Sequence, residues 1–381
     1  MDRTLKVVEF IKEHPEDWEK ILSAPPYSIT VTRGEKCGYD LVMLKYNMIE
    51  DPDFSNPIVR ECRGLILMDK TFEPVTVPFF KFGNYGESYC PDIDWKTASV
   101  LQKIDGSLIK VVRLGEGLLV STNGTIDAYD APVADQVGCP HLNFGGIAVE
   151  QLKEKLGSDD ITCFFDPGIT YMFELVSPWT RVVVPWEHDD LYFLGTRDNK
   201  TLQEQLPYGH PFADLFKTPK RTNLGSIEEC VKATQDMPWD EEGYVVVDSN
   251  FNRVKVKSPA YVAIHHMKGE GPLTYRTALE LVRMQQDDDY LAYFPELSDK
   301  VHLVKDKFLG LVNMVDSFWK ESGERVRSME SRKDQAQAII TALGKQSGAG
   351  FALLDGKVQS SMEFYMGVTT VYLLRSLGWK E

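Results

Sequence analysis

The sequence predicts an α+β protein: a long N-terminal region of antiparallel sheets, then an all-helical C-terminal domain. Three observations predict it. Between about residues 27 and 257, short apolar runs alternate with polar residues and stop at Gly, Asn and Asp turns, the pattern of hairpins. From about 262 onward apolar residues recur at helical spacing and strand-like runs are few. The 381 residues also exceed one ordinary core, so two domains are expected, 1–262 and 263–381. The change falls at 262–272, where Gly269 and Gly271-Pro272 punctuate the chain.

In chain order, Leu5, Val8, Ile11, Trp18 and Ile21 mark a helical segment over 4–22, split by His14-Pro15 and ended by Pro25-Pro26. Residues 27–46 read as a hairpin turning at Arg33–Gly38. A buried strand, Leu65–Met68, is entered through Arg63-Gly64, and Val75–Gly86 reads as an aromatic-rich strand and loop. Leu101–Ile109 is a strand ending in Lys103, an Asp105-Gly106 turn and a second strand, which Leu118–Thr122 pairs across Gly115–Gly117. A helix follows around Ile147–Leu156, then strands Tyr171–Leu175, Arg181–Val184 and Leu191–Thr196. Helices and loops fill 201–237, and Gly243–Val247 with Arg253–Lys257 forms a last hairpin over Asp248-Ser249-Asn250. Helices are expected over 276–294, 297–328, 331–344 and 360–377.

Composition narrows the class. No apolar run approaches the roughly 20 residues that span a bilayer, so no membrane partner is expected. The N-terminus leads into an amphipathic segment rather than a signal peptide. Six scattered cysteines without a Cys-x-x-Cys pair suit a reducing cytoplasm, the host's if the protein is viral. His265-His266 lacks the spacing of a zinc site. The net charge of −15 argues against a nucleic-acid partner, although a basic channel can sit on an acidic protein.

Five polar groups stand at strand ends and can gather at one sheet rim: Arg63, Lys103 with Asp105, Glu174, Glu242, and Lys255 with Lys257. Lys103, flanked by Ile104, Leu108 and Ile109, is placed for partial desolvation, which favours the neutral, nucleophilic amine. Lys255 and Lys257 alternate with Val254 and Val256, so both ammonium groups share one face. An anion between them or a solvated edge would each explain that. Glu174 and Glu242 suit a metal or a ribose hydroxyl, and Glu174 equally suits an ion pair with Arg181.

In this order the segments resemble the motif series of the covalent nucleotidyltransferases, which include ATP-dependent RNA and DNA ligases and mRNA capping enzymes. The strings are Glu61-Cys62-Arg63-Gly64, Lys103-Ile104-Asp105-Gly106-Ser107, Phe173-Glu174-Leu175-Val176-Ser177-Pro178, Glu242-Gly243-Tyr244-Val245-Val246 and Lys255-Val256-Lys257-Ser258-Pro259. They are most similar to the RNA ligase 1 type, the tRNA-repair ligases of T-even bacteriophages, over about residues 30–262.

The resemblance implies an ATP-grasp-like nucleotidyltransferase domain, a helical C-terminal domain without an OB-fold, and ATP with Mg²⁺ or Mn²⁺. Lys103 would be the nucleophile that becomes N6-AMP-lysine, with Lys255 and Lys257 on the α-phosphate and lowering its pKa. Arg63 and Lys81 would hold outer phosphates or an RNA phosphate, Phe82 would stack on adenine beside Ile104, and Glu174 would take a ribose hydroxyl. Glu242 would bind metal, Asp105 would orient Lys103 or bind metal, and Gly106 and Gly243 would let backbone approach the nucleotide. The implied partner is single-stranded RNA or a nicked loop such as a tRNA anticodon loop, read by the helical domain of a monomer.

Gly83, Asn123 and Thr180 depart from the family pattern, which favours Phe, a basic residue and Asn at those positions. The alternatives are a DNA ligase or capping enzyme, and a catalytically silent nucleic-acid-binding or virion-assembly protein on the same fold.

Overall fold

The computed structural model describes residues 4–47, 52–133, 139–268, 273–283, 287, 290–291 and 294–379. The chain divides into two compact units, Met1–His265 and His266–Glu381. Gly269, Gly271 and Pro272 lie outside the described residues, as does part of the helix expected over 276–294.

The first unit opens with helices α1 (Lys6–Glu13) and α2 (Trp18–Ser23), separated at His14-Pro15. They bury Val7, Val8, Ile11, Trp18 and Leu22 against a four-stranded antiparallel sheet, β1 (Ile29–Lys36), β2 (Tyr39–Tyr46), β3 (Arg63–Met68) and β4 (Pro74–Thr76). The first hairpin turns at Cys37-Gly38, later than expected, because Arg33–Lys36 pair fully with β2. Short α3 (Pro57–Glu61) leads into β3, and of the aromatic stretch only Val75 and Thr76 lie in a strand, β4.

Next come β5 (Ser99–Gln102), β6 (Ser107–Leu114) and β7 (Gly117–Thr122), then α4 (Phe144–Leu156), β8 (Ile169–Val176), β9 (Asp190–Asp198) and β10 (Glu204–Gln205). A five-stranded antiparallel sheet takes the order β10-β9-β8-β6-β7. Asn143 caps α4 by accepting from Gly146 N at 2.8 Å, and Gly157 at φ +65° ends it. One face of this sheet packs Ile109, Val111, Phe173 and Phe193 against Ile147, Ala148 and Leu152 of α4. Each such fully buried large side chain contributes roughly 1.5–3 kcal/mol.

The third sheet, β11-β5-β12-β13, adds β11 (Arg221–Thr222), β12 (Gly243–Val247) and β13 (Arg253–Lys257), with α5 (Ile227–Gln235) covering it. The Arg181–Val184 strand does not form. Val183 N and Val184 N donate instead to the Asp105 carboxylate at 2.8 and 2.7 Å, which removes them from any ladder. Helix α6 (Pro259–Lys268) follows β13.

Among its described residues the second unit contains only helical elements: α7 (Tyr275–Arg283), α8 (Ser298–Arg327), α9 (Arg332–Leu343), α10 (Ser347–Leu354), α11 (Ser361–Gly367), α12 (Thr370–Ser376) and short 3₁₀ turns. The 360–377 segment is two helices, broken at Val368 and recapped by Thr369, whose side chain accepts from Tyr372 N. Helix α10 was not expected. It forms where Gly350 lets the backbone close on Ile339 and Leu343 of α9, atoms of which lie 2.7 and 2.8 Å from where a Cβ would stand.

Candidate active site

A cavity of about 530 Å³ opens in the first unit. Its apolar wall includes Phe79, Leu101, Ile104, Leu108, Leu194 and Val245, and its polar wall Arg63, Lys81, Lys103, Glu174, Glu242, Lys255 and Lys257. The structure thus brings together residues up to 194 positions apart, from Arg63 to Lys257. The hairpin register explains part of this. Val245 pairs with Lys255 and Gly243 with Lys257, while Tyr244 faces Gln102 on β5, just before Lys103.

At the centre the Glu242 carboxylate, 4% exposed, bridges two lysines. Lys103 Nζ donates to Oε2 at 2.7 Å and Lys257 Nζ lies 2.9 Å from Oε1. Burial alone would push the Glu242 pKa up, and the two ammonium charges reverse this, holding it below the usual carboxylate range. Lys103 moves opposite to expectation. Burial lowers its pKa, but Glu242 first and then Glu174 more than offset that and raise it above the ordinary lysine value. The resting amine is therefore a charged, paired ammonium. The apolar flank and the two nearby lysines do not prevail, because two carboxylates face the same Nζ.

Glu174 has the reverse balance. Burial lifts its carboxyl to about 7, with Lys103 opposing and Glu242 adding to the rise. Lys255 is lowered to about 7 by burial and by the charges of Lys81, Lys103, Lys257 and Arg63. Burial, with Arg63, also lowers Lys81. Lys81 Nζ stands 4.6 Å from the Phe54 ring centroid and 5.7 Å from that of Tyr46. Among the described residues Arg63, Lys81 and Lys255 form no ion pair. Three basic groups crowded into one cavity, none in ion-pair contact with a carboxylate, favour an anion there.

Other expected residues sit differently. Asp105 bonds to groups other than the lysines: Oδ2 accepts from Val183 N and Val184 N, and Oδ1 accepts from the Tyr261 hydroxyl at 2.7 Å. Its carboxylate is occupied in fixing the link between β5 and β6 after Lys103, and Trp186 Nε1 donates to its carbonyl at 2.8 Å. A direct metal bond from Asp105 would break that network. Phe82 lies 5.5 Å from the Arg63 guanidinium carbon and 5.4 Å from Lys255 Nζ, so cations, rather than open space for a base, lie over its ring.

The two glycines serve the protein's own backbone. A Cβ at Gly106 would lie 2.3 Å from the Leu175 carbonyl oxygen, and one at Gly243 (φ +126°) 2.2 Å from that of Val256. Gly83 is likewise explained: a side chain there would meet Cys90 Sγ at 2.5 Å and Glu87 Oε2 at 2.7 Å. Its carbonyl instead accepts from Lys255 N at 2.9 Å, backing that lysine. Arg181 packs over Trp239 at 6.0 Å, and its Nε donates to the Val183 carbonyl.

Sequence reasoning missed Tyr261 and Lys110. Tyr261 follows closely on Lys257-Ser258-Pro259, and Lys110 interrupts the apolar run Leu108–Leu114; each position was a readable signal.

Comparison with known proteins gives three kinds of match. A family model described as RNA ligase matches residues 61–261. A protein of Autographa californica nuclear polyhedrosis virus, named as a bifunctional polynucleotide kinase/RNA ligase, is 31% identical over 69% of this chain and 39% of its own length. An RNA ligase of Rhodothermus phage RM378 is 24% identical over 93% of this chain and 94% of its own. The chain spans 39% and 58% of the first two curated relatives it matches. An archaeal ATP-dependent RNA ligase structure aligns over 90% of this chain and 91% of its own, with TM-score 0.44 and 12% identity. A Naegleria gruberi RNA ligase solved with ATP and Mn aligns over 45% of this chain and 52% of its own, with TM-score 0.34 and 17% identity. With its family model matched across 61–261, more than half of the 381 residues, the chain belongs to the RNA ligase family.

Proposed function

We propose that the protein is an ATP-dependent RNA ligase that joins a 5′-phosphate to a 3′-hydroxyl through an adenylate on Lys103. The observation that carries this is the cavity in which Lys103 meets the unpaired cations Arg63, Lys81 and Lys255 beside an apolar wall. A nucleoside triphosphate offers both what the cations lack and what the apolar wall accepts.

Lys103 Nζ, once free of its proton and of Glu242, attacks the α-phosphorus, and the bond to pyrophosphate breaks. AMP passes to an RNA 5′-phosphate, and a 3′-hydroxyl displaces it as the strand closes. Phosphoryl chemistry of this kind asks a protein chiefly to position groups and neutralise charge. Lys255 and Lys257 would hold the α-phosphate, and Arg63 and Lys81 the outer phosphates or the RNA phosphate. Glu174 would accept a ribose hydroxyl. Adenine would lodge against the aliphatic wall around Ile104 rather than on Phe82.

A divalent ion fits in one way. No group of three His, Cys, Asp or Glu side chains forms a metal cage among the described residues. Mg²⁺ commonly takes one or two carboxylates plus substrate phosphates, and Glu242, once released by Lys103 and Lys257, would be the carboxylate for this. The ion would supply charge neutralisation on the phosphates. The 263–381 domain is our candidate for RNA selection, with tRNA repair as the process served.

The test is incubation of a 5′-phosphorylated single-stranded RNA with protein, ATP and Mg²⁺. Circular or joined RNA is expected, and the same strand as DNA serves as the rival substrate. Sealing of DNA and not RNA would favour the DNA ligase alternative.

A further inference from the structure

Lys110 stands on β6 with its side chain completely buried, and it does not line the central cavity. A lysine is rarely fully buried, and a charged group in an interior costs free energy unless it is paired. The ladders set Lys110 opposite Ser121 on β7 and Met172 on β8. Its Nζ donates to the carbonyl of Gly64.

That carbonyl belongs to a bulge. Leu44 pairs with Leu65 but Lys45 pairs with Arg63, so Gly64 is the extra residue between them. Gly64 adopts φ +76°, and a Cβ on it would lie 2.8 Å from the Cα and carbonyl oxygen of Asn123. A bulge re-aims the side chain beside it. With Gly64 left out of the pairing, Arg63 falls opposite Lys45 and lines the cavity beside Phe82.

The bulge is therefore held by two things: backbone contact with Asn123, and the Nζ donor of Lys110. Nearby, Ser121 Oγ and Asn123 Oδ1 are buried without a hydrogen-bond partner among the described residues. Burial, helped by Arg63, lowers Lys110 to about 7. A methionine would fill a similar volume without that cost.

We propose that Lys110 is a positioning residue, whose hydrogen bond to the Gly64 carbonyl fixes the bulge and so aims the Arg63 guanidinium into the cavity. Its consequence for phosphate binding rests on the function proposed above; its effect on the position of Arg63 does not.

The test compares Lys110→Met, Arg63→Ala and the double variant with wild type. The readouts are melting temperature, the ATP concentration giving half-maximal labelling of the protein from α-labelled ATP, and a crystal structure of Lys110→Met. We expect Lys110→Met to melt near wild type and to need about tenfold more ATP, the size of one hydrogen bond to a charged group. The double variant should be no worse than Arg63→Ala, and the guanidinium should leave its place in the crystal. Multiplying effects in the double variant, or an Arg63 unmoved in the Lys110→Met crystal, would overturn the proposal. If Lys110→Met does not fold, Lys110→Gln enters the same comparison. If wild type takes no label, the proposed activity fails, and the crystal structure alone decides the positioning role.

Discussion

Replacing Glu242 by Gln keeps the shape of the central bridge and removes its charge. At 2.7 and 2.9 Å, each lysine–carboxylate attraction is about 6 kcal/mol with an effective dielectric constant near 20. Burial of the three charged groups offsets much of this, and breaking such a buried pair costs roughly 3–5 kcal/mol net. The amide oxygen still accepts from one ammonium, but the NH₂ faces the other, leaving a buried cation unpaired. For a unit of this size the melting temperature should fall by about 10 °C. The unpaired lysines escape part of the penalty by losing protons, so the deficit should be smaller at pH 9 than at pH 7. Lys103 should also react faster with an amine-acylating reagent at pH 8, because the group that most raises its pKa is gone. Calorimetry and peptide mass mapping read the two effects. A melting temperature within about 2 °C of wild type, with Lys103 reactivity unchanged, would refute the bridge as the source of either.

Three further outcomes follow from the same physics. Burial lifts Glu61 from 4.5 to about 7, so the folded chain binds more protons than the unfolded one in that window. Stability should fall by roughly 3 kcal/mol as pH rises through it, and Glu61→Gln should flatten that slope in denaturant titrations. Lys255, lowered to about 7, must take up a proton to meet an anion above that pH. Pyrophosphate binding at pH 8, followed by calorimetry in buffers of different ionisation enthalpy, should show proton uptake that Lys255→Met abolishes. Gly243→Ala places a Cβ 2.2 Å from the Val256 carbonyl oxygen at φ +126°. It should cost more than about 2 kcal/mol, whereas Gly38→Ala at φ +77°, with open space around it, should cost about 1 kcal/mol.

Positions were more legible in the sequence than electrostatics. Strand ends at Arg63, Gln102, Gly243 and Lys257 follow from local alternation and turn residues, but the polar groups do not share the one sheet rim expected of them: Arg63, Glu174 and the Lys103, Glu242, Lys255 and Lys257 set come from three different sheets, which spacing could not reveal. Nor could it reveal the protonation of Lys103, which depends on Glu242, arriving from 139 positions away. The partners of Asp105 were hidden for a related reason. The break between β5 and β6 was readable at Asp105-Gly106, but the two strands enter different sheets and form no hairpin, and the Val183 and Val184 N–H groups that occupy the carboxylate lie across 78 and 79 positions. The same bonds explain the missing strand at 181–184: its apolar valines fit a strand, and the backbone pairing went to a carboxylate instead. Phe82 matched the composition of a stacking platform, while the cations against its ring come from β3 and β13. Gly106 and Gly243, expected to let backbone approach a nucleotide, stand against the Leu175 and Val256 carbonyls of neighbouring strands, contacts that no local pattern announces.

The most direct test of the proposed chemistry is incubation with α-labelled ATP and Mg²⁺, then denaturing electrophoresis and peptide mapping, with GTP in parallel and Lys103→Ala as the control. Label from ATP alone, carried by the peptide containing Lys103 and absent from the variant, is the result expected. Label retained by Lys103→Ala, or none on wild-type protein shown to be free of bound AMP, would contradict it.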